Sequence, residues 1–241
     1  MPVWKAKAAT NPTMQAGFHI ERTYGTLPLT LQSGSTKVAE FPDITCAYSA
    51  DVDLNSYDAF IVFGMHYSLT ALAKTHAKYR SAENKGNNGA YLLSKPAYSA
   101  MTDELFQFSK AKRVIDAVRK NSNLPVFYAQ QPMPLEWIIG RQDRNLGFFK
   151  SIVDSDDIDQ LLDTYGVMLN RLEDEGVRVL RQPPQTLAEP GFTKSHYGMA
   201  DVEDQTPESP YTKGDYFHMN SHYGELVTQD ILNELKIGMG E

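Results

Sequence analysis

Two kinds of hydrophobic pattern alternate along the chain: short continuous apolar runs, and longer stretches in which apolar residues recur every three or four positions. Tyr57-Asp58-Ala59-Phe60-Ile61-Val62-Phe63-Gly64 is a run of the first kind, ending in glycine. That is the form of a strand buried on both faces of a parallel sheet, and it is expected to be central. Leu124 to Ala129 is the second such run, stopped abruptly by Gln130-Gln131-Pro132-Met133-Pro134, and Val177-Arg178-Val179-Leu180 is the third, closed by Pro183-Pro184. Between them, His66 to Tyr79 reads as a helix. From Ser99 onward Met101, Leu105, Phe108, Ile115 and Val118 recur at helical spacing, with Arg113, Arg119 and Lys120 placed favourably towards the carboxyl end. Ile158, Leu161, Leu162, Tyr165, Leu169 and Leu172 mark another amphipathic helix, which Gly176 ends, and Glu225 to Leu235 is the last periodic run.

Strands alternating with helices of this length imply a parallel sheet covered on both faces, because a parallel crossover needs about a dozen residues. The expectation is one α/β domain over residues 1–241. In such sheets ligands bind beyond the carboxyl ends of the strands, here Gly64-Met65-His66, Gln130-Gln131-Pro132 and the span from Gln182 to Gly214. Residues 81–97 and 182–213 read as long loops, the first a polar, Gly/Asn-rich flap. Before Asp51 the pattern is weak: a helix end broken at Asn11-Pro12, a short strand at Gly17-Phe18-His19-Ile20, and a turn at Tyr24-Gly25-Thr26-Leu27-Pro28.

Composition narrows the classes. The 241 residues carry a net charge of −7, with no Lys/Arg run to track a phosphate backbone, so nucleic acid is not expected as a partner. A single cysteine, Cys46, excludes an internal disulfide framework. No stretch approaches the ~18 apolar residues that span a bilayer, and the first residues lack the apolar core of a signal peptide, so no membrane association is expected and a cytoplasmic protein is. No metal site or cofactor is expected. His19, His76 and His196 show no ligand spacing, and His218 with His222 lacks the intervening glutamate of a zinc protease.

The stretch richest in possible chemistry is Asp215-Tyr216-Phe217-His218-Met219-Asn220, just before the last periodic run. A histidine can take a proton from a hydroxyl and return it to a leaving group, and an aspartate three residues away can fix its tautomer and stabilise the imidazolium. The competing reading makes Asp215 the cap of the final helix and His218 a solvated first-turn residue. Asn220 and Tyr223-Gly224 are expected to shape the helix entry. Trp137, Phe148 and Phe149, in the span after the second run, either line a groove or pack beneath it, packing being the commoner fate.

Asp215-Tyr216-Phe217-His218-Met219-Asn220 with His222-Tyr223-Gly224 and a terminal helix resembles the last block of the SGNH, or GDSL, hydrolase family, which often reads D-x-x-H-x-N-x-x-Y-G. Tyr57 to Gly64 resembles the strand before that family's third block, and Val126 to Pro134 and Val177 to Leu187 resemble its fourth and fifth strands. The resemblance spans residues 17–237. It implies a flavodoxin-like, mostly parallel three-layer α/β/α sandwich and an ester hydrolase with a Ser-His-Asp triad, acting on small-molecule or glycan esters such as O-acetyl carbohydrates. His218 and Asp215 match the acid–base pair. Gly64 matches the third-block glycine and Gly25 the second-block glycine of the oxyanion site.

Two positions depart from the family pattern. The third-block asparagine is His66, which can still donate a hydrogen bond through one ring nitrogen. No Gly-Asp-Ser or Gly-Asn-Ser occurs upstream of Tyr57, where Ser33-Gly34-Ser35 reads as a surface turn. On the family pattern the chain begins roughly 15 to 20 residues late, without the first strand and the serine block. Residues 1–50 should then be weakly anchored. The alternatives are a non-catalytic glycan-binding protein of the same fold and an acyltransferase. A nucleotide-binding protein is disfavoured, since no Gly-rich phosphate loop follows a strand.

Overall fold

The computed structural model describes residues 31–32, 35–36, 59–63, 67, 69–83, 91–140, 146–199 and 216–239. Two short strands, β1 (Leu31–Gln32) and β2 (Ser35–Thr36), pair antiparallel, with Gln32 opposite Ser35 across Ser33-Gly34. The principal sheet has three parallel strands, β3 (Phe60–Phe63), β6 (Val126–Ala129) and β7 (Arg178–Leu180), in the order β3-β6-β7. Phe60 pairs with Val126 and Phe63 with Ala129, while Phe127 pairs with Arg178 and Ala129 with Leu180. The crossover from β3 to β6 carries helix α1 (Leu69–His76), a parallel pair β4 (Tyr79–Ser81) and β5 (Tyr91–Leu93), and helices α2 (Lys95–Gln107) and α3 (Lys110–Asn121). Helices α4 (Phe148–Asp154) and α5 (Ile158–Asp174) lead from β6 to β7, a small hairpin β8 (Leu187–Ala188) and β9 (Phe192–Thr193) follows, and helix α6 (Ser221–Met239) is last.

The core is organised around β6, all four of whose residues are buried. Side chains alternate across a strand, so Val126 and Tyr128 face one way and Phe127 and Ala129 the other. Val126 and Tyr128 join a large cluster with Tyr67, Leu72, Phe106, Ile115, Leu161 and Tyr165. Phe127 and Ala129 pack instead with Leu180, Tyr197 and the α6 residues Tyr223, Val227 and Ile231. Each of those α6 side chains contributes on the order of 1.5–3 kcal/mol by leaving water, which fixes the helix against the sheet. The chain is thus a mixed α/β protein with a parallel sheet and six α-helices among the described residues, and none of those helices is long and apolar enough to cross a membrane.

Several boundaries follow local rules. Gly176 adopts φ +85° after α5, where its N–H donates to Glu173 O at 2.8 Å and that of Val177 to Leu172 O at 2.9 Å. This double bond closes the helix in the left-handed geometry glycine tolerates best. The long helix expected from Ser99 to Val118 is two, α2 and α3, because the Ser109 hydroxyl caps a new start by accepting from Lys112 N at 3.2 Å. Phe108, placed by periodicity in the core, falls at that break and is 71% exposed.

Two further expectations need correction. The run ending in Gly64 is not the central strand among the described residues: β3 lies at one end of the sheet, and Phe63 is half exposed. The span from Tyr79 to Ser81, read as helix end and flap, is strand β4, and its Arg80 is fully buried. Residues 84–90 of the expected flap, and nearly all of residues 1–50, lie outside the described residues.

Candidate functional site

At the carboxyl ends of β6 and β7 the backbone is held by a neutral polar network. Gln130 N donates to Leu180 O at 2.9 Å, keeping the two strand ends together after the ladder stops. Pro132 and Pro134 bring no N–H and cannot extend the ladder. Gln182 then fills the gap between the departing loops. Its Oε1 accepts from Met133 N at 2.7 Å, its Nε2 donates to Thr186 Oγ1 and Thr193 Oγ1 at 2.9 Å each, and its own N–H donates to Gln130 Oε1 at 3.1 Å. Thr193 Oγ1 in turn donates to Met133 O, and Thr193 N to Pro134 O at 2.8 Å. Gln182, Thr186 and Thr193 are all buried with their side-chain groups engaged, which makes the network stiff.

The segment carrying His218 is laid onto this platform through its backbone. Leu135 N donates to Tyr216 O at 2.9 Å, Met199 N to His218 O at 3.1 Å, and Asn220 N to Tyr197 O at 2.8 Å. The last two bonds frame an antiparallel bridge between Gly198 and Met219. Gly198 is closely approached: a Cβ there would meet Leu135 Cδ1, so the buried leucine tip would have to shift to admit a side chain. Tyr216 is buried, its ring edge-on to Trp137 at 6.4 Å, while the His218 side chain is exposed. Asn220 caps α6: its Oδ1 accepts from Tyr223 N at 3.1 Å, the N-cap to N3 bond. His218 therefore precedes the helix and is not a first-turn residue, and His218 and His222 do not share a helical face.

Beside His218 the short turn Ser195–Tyr197 presents more polar and aromatic groups. Ser195 donates twice to Glu136 Oε1, through its hydroxyl and through its N–H at 2.8 Å. These two bonds hold the Glu136 carboxyl below the usual range, helped by His196 and Lys194 and opposed by partial burial. The His222 ring stacks on Tyr197 at 5.5 Å, with planes 3° apart, and the exposed His196 ring lies 4.2 Å from Tyr197 on another side. The Tyr223 hydroxyl is buried and has no hydrogen-bond partner among the described residues, and burial drives its pKa up. Among the described residues no three His, Cys, Asp or Glu side chains are grouped so as to hold a metal ion.

Of the residues singled out by sequence, only His218 among the site candidates is described. Asp215, Gly64, His66 and Gly25 lie outside the described residues. Asn220 and Tyr223 are where the helix entry was expected. Phe149 is buried in α4 and Trp137 is half-buried, so neither forms an exposed groove wall. The span from Gln182, expected as a surface loop, carries in its described part the β8–β9 hairpin and buried Thr186, Phe192 and Thr193. Sequence reasoning missed Gln182, Glu136 and Ser195. The partners of Gln182 lie as far as 49 and 52 positions away, and Ser195 lies 59 positions from Glu136, so no local spacing marks either set.

Chemically, the arrangement offers an exposed imidazole on a fixed backbone beside the end of a parallel sheet, with two further imidazoles nearby. An open groove of about 540 Å³ follows the outer side of β7, lined by Glu173, Gly176, Arg178 and Glu234 among others, and holds none of the residues around His218. No protein-family model, curated protein or solved structure matches this chain.

Proposed function

We propose that this chain carries the acid–base part of an ester hydrolase of the SGNH type, built on a flavodoxin-like α/β/α sandwich, and that His218 is its general base, oriented by Asp215. The single observation that carries the reading is the position of His218. It is exposed, and it lies on a segment pinned by Leu135–Tyr216 and Met199–His218 backbone hydrogen bonds beside the carboxyl ends of β6 and β7, where parallel sheets place their reacting groups. In this reading His218 takes the proton of a serine hydroxyl as it attacks an acyl carbonyl and returns it to the leaving alcohol; water then releases the acyl group by the same route. Gly64, Gly25 and His66 stabilise the oxyanion. The substrate is a small-molecule or glycan ester, and the protein acts without a cofactor, a nucleic-acid partner or a membrane, in the cytoplasm.

A second reading has its own observation: the 241 residues contain no Gly-Asp-Ser or Gly-Asn-Ser. A glycan-binding protein of the same fold needs no nucleophile. Incubating the chain, extended upstream with a Gly-Asp-Ser block, with an O-acetylated oligosaccharide and measuring both bound ligand and free acetate separates the two. Acetate release that falls at least about 10³-fold in His218→Ala supports the hydrolase. Binding without any release supports the second reading, and release unchanged by the substitution removes His218 from the chemistry. Acetyl transfer to an added sugar, in place of release, would identify an acyltransferase.

A further inference from the structure

Asn220 makes more contacts than a helix cap requires. Its Oδ1 caps α6 on Tyr223 N, and its carbonyl accepts from Gly224 N at 3.2 Å, as any N-cap carbonyl does. The other two groups point away from the helix. Its N–H donates to Tyr197 O at 2.8 Å, and its Nδ2 donates to His196 O at 2.7 Å. All four polar groups of the residue are thus engaged, two with α6 and two with the Ser195–Tyr197 turn.

The two sets of bonds act on His218 from both sides. Two residues before Asn220, His218 O accepts from Met199 N at 3.1 Å, so the ladder joining 197–199 to 218–220 has Asn220 at one end and His218 at the other. The backbone bonds of this short ladder set its distance from the turn but allow it to twist. The Nδ2–His196 O bond adds a side-chain contact outside the ladder and removes that freedom. On the far side, α6 is locked to the sheet by Tyr223, Val227 and Ile231, so the cap transmits the position of the helix to the same residue.

We propose that Asn220 is a positioning residue for His218: by capping α6 and tying the His196 carbonyl with one side chain, it fixes the backbone twist that aims the His218 imidazole. It does not touch substrate. The inference rests on His218 being the general base, but the geometry it asserts is measurable without turnover.

The decisive comparison is between Asn220→Ser and Asn220→Ala. Serine caps a helix about as well as asparagine but its hydroxyl is too short to bond Tyr223 N and His196 O together, whereas alanine loses both functions. The expected result is that Asn220→Ser keeps native urea stability and α6 amide protection. Its His218 Cε1–H resonance should nevertheless shift and broaden, and in the chain extended upstream with a Gly-Asp-Ser block kcat for an acetyl ester should fall roughly 10- to 100-fold with KM little changed, as a misaimed base would give. Asn220→Asp, which keeps the cap but places an acceptor against His196 O, should do the same and serves if the serine variant folds poorly. A His218 resonance unchanged in both capped variants would reduce Asn220 to a helix cap and overturn the proposal. If the resonance moves while the chain extended with a Gly-Asp-Ser block hydrolyses no ester, the positioning stands and the hydrolase reading fails.

Discussion

Two buried polar regions of this molecule solve the same problem in opposite ways. At the α1–β4–α5 corner the groups are charged: Arg80, fully buried on β4, pairs with Asp157 just before α5 and donates to Ser155 Oγ at 3.2 Å. Beside them His76, also fully buried, shares a 2.7 Å hydrogen bond between its Nδ1 and the Tyr98 hydroxyl, while its Nε2 has no partner among the described residues. At the carboxyl edge the groups are neutral: Gln182 and the threonines around it satisfy one another. Buried charges are costly to separate from their partners, whereas a satisfied amide network holds geometry with little dependence on pH. The corner therefore governs how stable the protein is and under which conditions. The carboxyl edge governs where His218 stands.

The largest effect should come from breaking the charged pair. Asp157→Ala removes the carboxylate that pairs with the buried Arg80 guanidinium, and should lower unfolding free energy by about 3–5 kcal/mol in urea titrations. Replacing both residues with apolar ones of similar volume should recover much of that loss. If Asp157→Ala were neutral, the corner would not be the stability-determining contrast drawn above.

Next comes acid. Burial lowers the His76 pKa from 6.5 to about 4, with Asp157 opposing the shift and Arg80 reinforcing it. Because the unfolded chain binds this proton first, the contribution is fully present above pH 6.5 and is lost as pH falls towards 4, by about 3 kcal/mol. His76→Gln keeps a hydrogen-bonding side chain without the titration, so its stability profile should be flatter across that window. A native profile with the same slope as the variant would show that His76 is not the responsible group.

The neutral network should give the smallest stability effect and the largest geometric one. Gln182→Leu strands Met133 N and removes a donor to each threonine, which should cost about 1–3 kcal/mol with no added pH dependence between 4 and 6.5. Its amide exchange should quicken at Leu135 and Met199, whose N–H groups hold the His218 segment. Unchanged exchange at both would separate the network from the site.

The sequence showed one half of this contrast more clearly than the other. Short apolar runs made β6 and β7 legible and a period of 3.6 made α5 and α6 so, and Gly176 announced its own turn. His218 was singled out from its own stretch of sequence, Asp215 to Asn220, whereas the residues that hold its backbone, Leu135 and Met199, lie far away in the chain. The corner was not legible: His76 and Arg80 sit in a polar stretch, and partners such as Tyr98 on α2 and Ser155 and Asp157 just before α5 lie far along the chain. Gln182 was hidden for the same reason. Its four hydrogen bonds join three loops, and a glutamine before two prolines reads as a turn residue until those loops converge. The β4–β5 pair was missed because Tyr79-Arg80-Ser81 carries a charged and a polar residue in place of an apolar run, and Tyr91-Leu92-Leu93 follows directly on the Gly/Asn-rich stretch.

The most direct test compares p-nitrophenyl acetate hydrolysis by the chain extended upstream with a Gly-Asp-Ser block, which the 241 residues do not contain, with that of three variants of the same extended protein, His196→Ala, His218→Ala and His222→Ala. All three imidazoles are exposed at one edge, so they differ in role and not in access. The account predicts a loss of at least about 10³-fold in kcat/KM for His218→Ala and changes of only a few-fold for the other two. Full turnover by His218→Ala, or an equal collapse in either neighbour, would contradict it.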